Sequence, residues 1–351
     1  MLLSIQELEA SCVPLPEVTQ FFAENPHRPA DWNDVASVRT SMSAAVAAFN
    51  ATLPPAPDIV ESEITIAMRD GYLSTAKVRK PLSPPRDASS PLIILAFGGG
   101  FIAGDRHQMA VEARAFVRLF DAVVVNISYR LAPENKFPVG WDDAWDSIRW
   151  AVANGSSLGA DPQSGVILGG TSAGANLAAV CARRAQVEKL ESEITGVWLN
   201  VPSVLPRHCV PERWRERHVS MQQNENAGVF PAHALRSVNR HCGWDEDSPW
   251  RSPVNSNHPL KGLPKTFIQV DGMDCLRDDG LLYDELLKRV GVESRCVLYP
   301  GCPHAHATFL PGTQVAAKAL VDVMQGVGWM LSKTILADEA RKALDLPSDS
   351  C

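Results

Sequence analysis

The chain has 351 residues, of which 45% are hydrophobic, and this length favours one large domain carrying a small cap over two independent domains. The formal net charge of −7 argues against a nucleic-acid surface, and the one basic run, residues 213–218, is interrupted by an acidic residue. No run approaches the roughly 20 apolar residues of a membrane span. Residues 1–9 lack the features of a secretory signal, so we expect a cytoplasmic protein.

The first 60 residues have mixed polarity and precede the regular alternation of strands and helices. Residues 32–50 are patterned as an amphipathic helix, and a proline-rich break follows at residues 54–57. Residues 62–80 then predict two strands joined at Asp70-Gly71, which is a hairpin turn signal. The sequence thus predicts a separate N-terminal segment, residues 1–60.

A glycine run follows the first predicted buried strand. Leu92–Ala96 is entirely apolar and leads into Phe97 and then into Gly98, Gly99 and Gly100. Because glycine has no side chain, this backbone can approach a bound ligand closely. The run therefore predicts a loop whose amide groups face a ligand.

The most informative stretch is Gly170–Gly174, which reads Gly-Thr-Ser-Ala-Gly. It follows the apolar run Val166–Leu168 and opens into a helix-like segment. Small residues around Ser172 allow a sharp strand-to-helix turn that presents the hydroxyl group at the top of a sheet. The first amides of the helix, beginning with Ala173, then face the space in which a tetrahedral oxyanion would form. This pattern indicates a nucleophilic serine.

Acidic and histidine residues follow two later predicted strands. The strand-like residues 266–270 lead into Asp271 and Asp274, and a second such run leads into His304 and His306. Open α/β sheets place their sites just past the C-terminal ends of strands. The order Ser, Asp, His is also the order of the catalytic triad in α/β-hydrolases. On this evidence either aspartate can be the acid of the triad, and either histidine can be its base.

Residues 202–260 interrupt the alternation of strands and helices. They are rich in Pro, Trp, Arg and His and have little periodicity, so we interpret them as a cap insertion. The predicted core is then formed by residues 61–201 and 261–351. Loops and lids carry specificity on a rigid scaffold, so we expect substrate selection in the insertion and in residues 1–60.

Several short blocks occur in one order along residues 60–330. They resemble the hormone-sensitive-lipase-like branch of the α/β-hydrolases, which contains bacterial esterases, plant carboxylesterases and esterases of fungal biosynthetic clusters. The resemblance implies an α/β fold with a mostly parallel central sheet, flanking helices and a small helical cap. The blocks are Ser128-Tyr129-Arg130-Leu131-Ala132-Pro133-Glu134, Phe137-Pro138, Asp142-Asp143-Ala144, Gly159-Ala160-Asp161-Pro162, Ser172-Ala173-Gly174 with Asn176-Leu177-Ala178, and Asp274 with Leu276-Arg277-Asp278.

The resemblance also assigns roles to individual residues. It implies Ser172 as nucleophile, Asp274 as acid and His304 as base, and it favours Asp274 over Asp271 because the Leu-Arg-Asp block adjoins it. The implied oxyanion-hole amides are those of Gly99, Gly100 and Ala173. Such chemistry needs no cofactor and no metal.

The chain departs from the family pattern in two loops. The usual His-Gly-Gly-Gly has Phe97 in place of histidine, which predicts a reshaped oxyanion hole because a bracing side chain becomes apolar. After His304 the usual Gly-Phe is replaced by Ala305-His306, which leaves two histidines in one loop. The candidate substrate-binding residues are Phe97, Phe101, Trp214, Phe230, Trp244 and His306.

Three function classes follow from these features. The first is a serine carboxylic ester hydrolase for a small or medium acyl ester, including a polyketide-like intermediate. The second, motivated by Phe97, is a non-hydrolytic reaction on a biosynthetic intermediate, such as acyl transfer, cyclisation, lactonisation or elimination. The third is a binding protein without activity, which the retention of Ser172, Asp274 and His304 argues against. We expect a small-molecule acyl substrate, and the resemblance is compatible with a homodimer.

Overall fold

One eight-stranded sheet forms the centre of the structure, a computed structural model that describes residues 3–26, 30–85, 89–256 and 260–347. Parts of the predicted segments at both termini and of the predicted insertion lie outside these ranges. The strands are β1 (Ile59–Ala67), β2 (Leu73–Pro81), β3 (Leu92–Ala96), β4 (Val123–Ile127), β5 (Val166–Thr171), β6 (Gly196–Asn200), β7 (Lys265–Met273) and β8 (Ser294–Pro303).

The strands lie in the order β1-β2-β4-β3-β5-β6-β7-β8. Strand β2 runs antiparallel to both β1 and β4, and the other neighbouring strands are parallel. The predicted hairpin at Asp70-Gly71 joins β1 to β2, and Gly71 has the left-handed φ of +84° that such a turn favours. This sheet confirms the predicted mostly parallel α/β-hydrolase fold.

Helices flank the sheet on both faces, which explains why β3, β4 and β5 are apolar and buried along their whole length. Alternation along β3 divides its side chains between the two faces. Leu92 and Ile94 belong to one core with residues of helices α5, α7 and α10, whereas Ile93 and Leu95 belong to a second core with residues of α4, α12 and α13. The helices are α1 (Ile5–Ala10), α2 (Pro16–Glu24), α3 (Val35–Thr52), α4 (Ala110–Phe120), α5 (Val139–Ala153), α6 (Gly155–Leu158), α7 (Ala173–Glu188), α8 (Ser220–Gln223), α9 (Ala232–Cys242), α10 (Arg277–Arg289), α11 (His306–Phe309), α12 (Gln314–Met330) and α13 (Ala337–Ala343).

The N-terminal segment and the insertion contact each other near the C-terminal edge of the sheet. Helices α1, α2 and α3 lie in the first segment, and α8 and α9 lie in the insertion. The Ser237 hydroxyl donates to the carbonyl of Trp32 at 2.9 Å, and the rings of Trp32 and Phe230 meet edge to face with centroids 5.0 Å apart. No helix in the described ranges has both the length and the apolar character that a bilayer span requires.

Candidate active site

Ser172 occupies a strained turn between β5 and α7. Its φ of 56° and ψ of −111° lie outside the common regions for a residue with a side chain. The flanking glycines have no room for a Cβ. A Cβ on Gly170 would overlap the backbone of Gly174, and a Cβ on Gly174 would overlap the carbonyl oxygen of Ala96. The predicted elbow is therefore set by sterics, and it holds the serine hydroxyl at the C-terminal edge of the sheet.

Ser172, His304 and Asp274 form one chain of hydrogen bonds. His304 Nε2 lies 3.0 Å from Ser172 Oγ, and His304 Nδ1 lies 2.7 Å from Asp274 Oδ2. All three side chains are buried. An imidazole held between a carboxylate and a hydroxyl group is the arrangement in which histidine can take the hydroxyl proton.

The surroundings of His304 favour its protonated form. Burial alone would lower the pKa of this imidazole, but the charge and hydrogen bond of Asp274 outweigh burial and raise the pKa above its usual value. The other carboxylate oxygen of Asp274 accepts the Leu276 amide at 2.9 Å. In addition, the Asn224 side chain donates to the Asp274 carbonyl at 3.0 Å, so an insertion residue fixes the acid loop.

His306 belongs to a second, separate pair. Its Nδ1 lies 2.7 Å from Asp271 Oδ1, and its Nε2 lies 3.2 Å from the carbonyl of Val315. Burial opposes protonation of this ring, but Asp271 raises its pKa above the usual value. The structure therefore brings His304, and not His306, to Ser172. His306 is not hydrogen-bonded to Ser172, and both of its ring nitrogens have other partners.

The glycine loop lies directly above the elbow, since a Cβ on Gly98 would come within 2.9 Å of the Thr171 carbonyl oxygen. Gly99 and Gly100 have positive φ values of 127° and 62°. Within the described residues, neither their amides nor the amide of Ala173 donates a hydrogen bond to a backbone or side-chain acceptor. Three amide groups are thus free to meet an oxyanion beside Ser172.

Gln108 braces this loop, although no motif in the sequence indicates such a role. Its Oε1 accepts the Gly98 amide at 3.1 Å, and its Nε2 donates to the Gly98 carbonyl at 3.2 Å. Phe97 stacks on Tyr129 with ring centroids 4.1 Å apart, and the Tyr129 hydroxyl donates to the Phe97 carbonyl at 2.8 Å. The apolar side chain at position 97 is therefore buried against Tyr129.

The predicted aromatic residues fall into two groups. Phe230 stacks on the His304 ring with centroids 4.8 Å apart, and Phe101 contacts Trp244 edge to face at 5.2 Å. These residues lie on elements next to the triad and the glycine loop. Trp214 instead packs in a separate apolar cluster with Leu205, so the structure does not bring it to the triad.

Buried Arg277 ties the acid loop to the N-terminal segment. Its Nη1 donates to the Leu8 carbonyl at 2.9 Å, and its Nη2 donates to Gln223 Oε1 at 2.6 Å. Its Nε donates to Asp278 Oδ1 at 2.8 Å. The guanidinium group therefore fixes the loop that carries Asp274.

The family profile of the α/β-hydrolase fold matches residues 93–308, more than half of the chain. The chain belongs to this family. The α/β-hydrolase is 31% identical to an AB hydrolase superfamily protein of Schizosaccharomyces pombe over 92% of this chain and 96% of that one. It is 27% identical to the versiconal hemiacetal acetate esterase of Dothistroma septosporum over 69% of this chain and 74% of the esterase.

A solved structure, that of vibralactone cyclase, superposes on the α/β-hydrolase with a TM-score of 0.83 and 26% identity, covering 92% of this chain and 96% of the cyclase. Together these relatives indicate a hydrolase of the carboxylesterase type.

Proposed function

We propose that the protein is a serine carboxylic ester hydrolase that works through an acyl-enzyme. The observation that carries the proposal is the hydrogen-bonded chain from Ser172 through His304 to Asp274, with distances of 3.0 and 2.7 Å. A serine hydroxyl is a weak nucleophile at neutral pH, and a neighbouring imidazole removes this limitation.

The three residues divide the steps of the reaction between them. His304 Nε2 takes the Ser172 proton as Oγ attacks the ester carbonyl, while Asp274 holds the imidazole and stabilises its charged form. His304 next gives the proton to the departing alcohol. Water repeats the cycle on the acyl-enzyme and releases the acid.

The amides of Gly99, Gly100 and Ala173 are proposed to stabilise the oxyanion. They lie in the glycine loop and in the turn at Ser172, and they donate no hydrogen bond to an acceptor among the described residues. Because the elbow and the Gln108 brace fix them in advance, little reorganisation is needed during the reaction.

Residues 1–60 and 202–260 are proposed as the cap, and residues 61–201 and 261–351 as the core. The contact between Trp32 and Phe230 supports a joint cap, because Phe230 also stacks on His304. Phe101, Phe230 and Trp244 are the pocket residues that this arrangement favours. A cytoplasmic location, a homodimer and the lack of nucleic-acid binding stay predictions.

The proposed substrate is an ester with a small or medium acyl group, and a polyketide-like intermediate fits this class. Its support is the similarity to versiconal hemiacetal acetate esterase. A second candidate function is a non-hydrolytic reaction, such as lactonisation, in which a substrate hydroxyl group replaces water as acyl acceptor. The likeness to vibralactone cyclase favours this alternative.

The test is turnover of short- and long-chain p-nitrophenyl esters by wild type and Ser172→Ala. We expect Ser172→Ala to reduce kcat by about 10⁴-fold or more without unfolding the protein. The exposed Ser157→Ala is the matched control and should keep wild-type rates. Activity of Ser172→Ala within tenfold of wild type would exclude the mechanism.

A fluorophosphonate probe separates an enzyme from a binding protein, because only an activated serine forms the covalent adduct. We expect one adduct at Ser172 and none in Ser172→Ala, as measured by mass spectrometry. With a hydroxyacyl ester as substrate, release of the lactone in preference to the hydroxy acid would favour the second candidate function.

A further inference from the structure

A cavity of about 790 Å³ lies under the insertion. Its walls include Ser203, which follows β6, Leu235 and Asn239 from α9, and Cys275 and Leu276 from the acid loop. This volume is in the range of small-molecule sites. None of the three triad side chains forms its wall, so the cavity adds a compartment to the site described above.

The cavity adjoins the triad through two of its walls. Cys275 directly follows Asp274, and its thiol donates to the carbonyl of Phe230 at 3.4 Å, while the Phe230 ring stacks on His304. Helix α9 also reaches the glycine loop, since a Cβ on Gly100 would overlap the Val238 side chain. The walls of the cavity therefore contact the segments that carry Asp274, pack on His304 and form the glycine loop.

Arg251 is a buried cation in the wall of this cavity. Arg251 is only 5% exposed, and its guanidinium donates one weak hydrogen bond, from Nη1 to the Ser203 carbonyl at 3.3 Å. Its Nε makes no hydrogen bond to any described residue. Arginine stays protonated in proteins, so a buried guanidinium with an unused donor favours an anionic partner.

The carboxylates around the cavity leave Arg251 Nε without a hydrogen bond. Both oxygens of Asp279 are already engaged, by His218 Nε2 at 3.0 Å and by the Leu205 amide at 2.9 Å. Glu246 Oε2 forms an ion pair with Arg251 Nε at 3.4 Å without hydrogen-bond geometry. Because the Glu246 side chain is 47% exposed, a carboxylate of a ligand can take its place.

Further cations add to the charge of the cavity wall. Arg207, Arg215 and His208 also line the cavity. Arg215 pairs with exposed Glu212, and His208 pairs with exposed Asp247. Arg207 forms no ion pair within the described residues and donates to the His218 carbonyl at 2.8 Å, so it adds one cation to the wall.

We propose that this cavity binds a carboxylate group of the substrate, with Arg251 as its principal partner. The substrate class is then an ester whose acyl or alcohol part carries a carboxylate. A planar guanidinium presents paired N–H groups that match a carboxylate, and the burial of Arg251 strengthens the pairing. The substrate assignment rests on the proposed esterase function, whereas carboxylate binding does not.

The first experiment measures binding without turnover. Hexanoate and hexanamide are titrated by calorimetry into the Ser172→Ala protein. We expect saturable binding of hexanoate, at least tenfold tighter than hexanamide, and a loss of about 10- to 100-fold in Arg251→Gln. Arg236→Gln is the matched control, because Arg236 lies on α9 but pairs with exposed Glu225. Equal affinity for the two probes would overturn the proposal.

The second experiment measures substrate preference as kcat/KM. The pair 4-nitrophenyl hydrogen adipate and methyl 4-nitrophenyl adipate tests a carboxylate on the acyl part, and 4-acetoxybenzoate with 4-acetoxybenzamide tests the alcohol part. In one of the pairs we expect wild type to prefer the anionic ester by about tenfold or more, and Arg251→Gln to lose this preference. If Arg251→Gln does not fold, Arg207→Gln, at an exposed position, should reduce the preference several-fold.

The outcomes separate the two proposals. Hexanoate binding that depends on Arg251, without turnover of any ester, would contradict the esterase function and leave the carboxylate site in place. Ester turnover with no anionic preference in either pair and no hexanoate binding would leave the esterase function in place and refute the carboxylate site.

Discussion

Replacing Gln108 by leucine should lower kcat strongly, although Gln108 lies far from Ser172 in the sequence. Gln108 satisfies both the amide and the carbonyl of Gly98, at 3.1 and 3.2 Å, and Gly98 is buried. Each buried polar group left without a partner costs about 1–3 kcal/mol, so Gln108→Leu costs about 2–6 kcal/mol if the loop stays in place. A loop under this penalty will shift to recover its hydrogen bonds.

Such a shift moves the amides of Gly99 and Gly100. Loss of one oxyanion donor costs about 10²–10³ in kcat. We therefore expect kcat of Gln108→Leu on p-nitrophenyl butyrate to fall by about 10²-fold or more, with a smaller change in KM. Gln108→Glu keeps the acceptor for the Gly98 amide but removes the donor to its carbonyl, so its kcat should lie between those of wild type and Gln108→Leu.

Urea unfolding separates the loop effect from a general loss of stability. The control is Gln20→Leu, because Gln20 donates to Glu24 at 2.8 Å in an exposed position and should change neither kcat nor stability by much. A folded Gln108→Leu protein with kcat within threefold of wild type would refute the idea that this side chain fixes the oxyanion loop.

The remaining predictions concern the two histidines and Phe97. His304→Asn should lower kcat by about 10⁴-fold. His306→Asn should keep kcat within tenfold of wild type and lower Tm. If His306→Asn instead lowered kcat and His304→Asn did not, His306 would be the base. Because Asp274 raises the pKa of His304 and the base must be neutral, kcat/KM should rise with pH through a midpoint above about 6.5, and a lower midpoint contradicts this. The raised pKa of His306 means that its pairing with Asp271 stabilises the fold at low pH and that this contribution is lost as pH rises through the folded-state pKa. The Tm difference between wild type and His306→Asn should therefore be larger at pH 5 than at pH 8. Phe97→His removes the stacking on Tyr129, so kcat on p-nitrophenyl butyrate should stay level or fall, and a clear increase would show that the loop lacks a bracing donor.

Sequence patterns predicted the elements whose conformation depends on neighbouring residues in the chain. Leu92–Ala96 was predicted as a buried strand and forms β3 with the same bounds, because a strand covered on both faces is apolar throughout. The elbow at Ser172 was recognisable because only small residues fit beside it. The hairpin at Asp70-Gly71 was recognisable because its turn requires a residue that tolerates positive φ.

Contacts between distant segments could not be predicted in the same way. Gln108 lies in a loop without a motif, and nothing in its neighbourhood indicates that it bonds Gly98. Asn224, in the aperiodic insertion, likewise reaches the acid loop only through the tertiary fold. Trp214 and Phe230 belong to the same insertion and are both aromatic, yet one packs in a separate cluster and the other stacks on His304, a difference set by packing alone.

Two histidines follow β8 in one loop, and the backbone between them determines which one contacts Ser172. Ala305 has a φ of +54°, between the end of β8 and the start of α11, and this left-handed residue turns the two rings apart. The two aspartates also differ in position, because the regular pairing of β7 with β8 is interrupted after Asp271, before the chain reaches Asp274. Each carboxylate therefore binds its own imidazole. An exchange of partners would require a different backbone both at Ala305 and after Asp271. The His306–Asp271 pair thus fixes the loop from behind, while the neighbouring pair keeps the geometry that proton transfer from Ser172 needs.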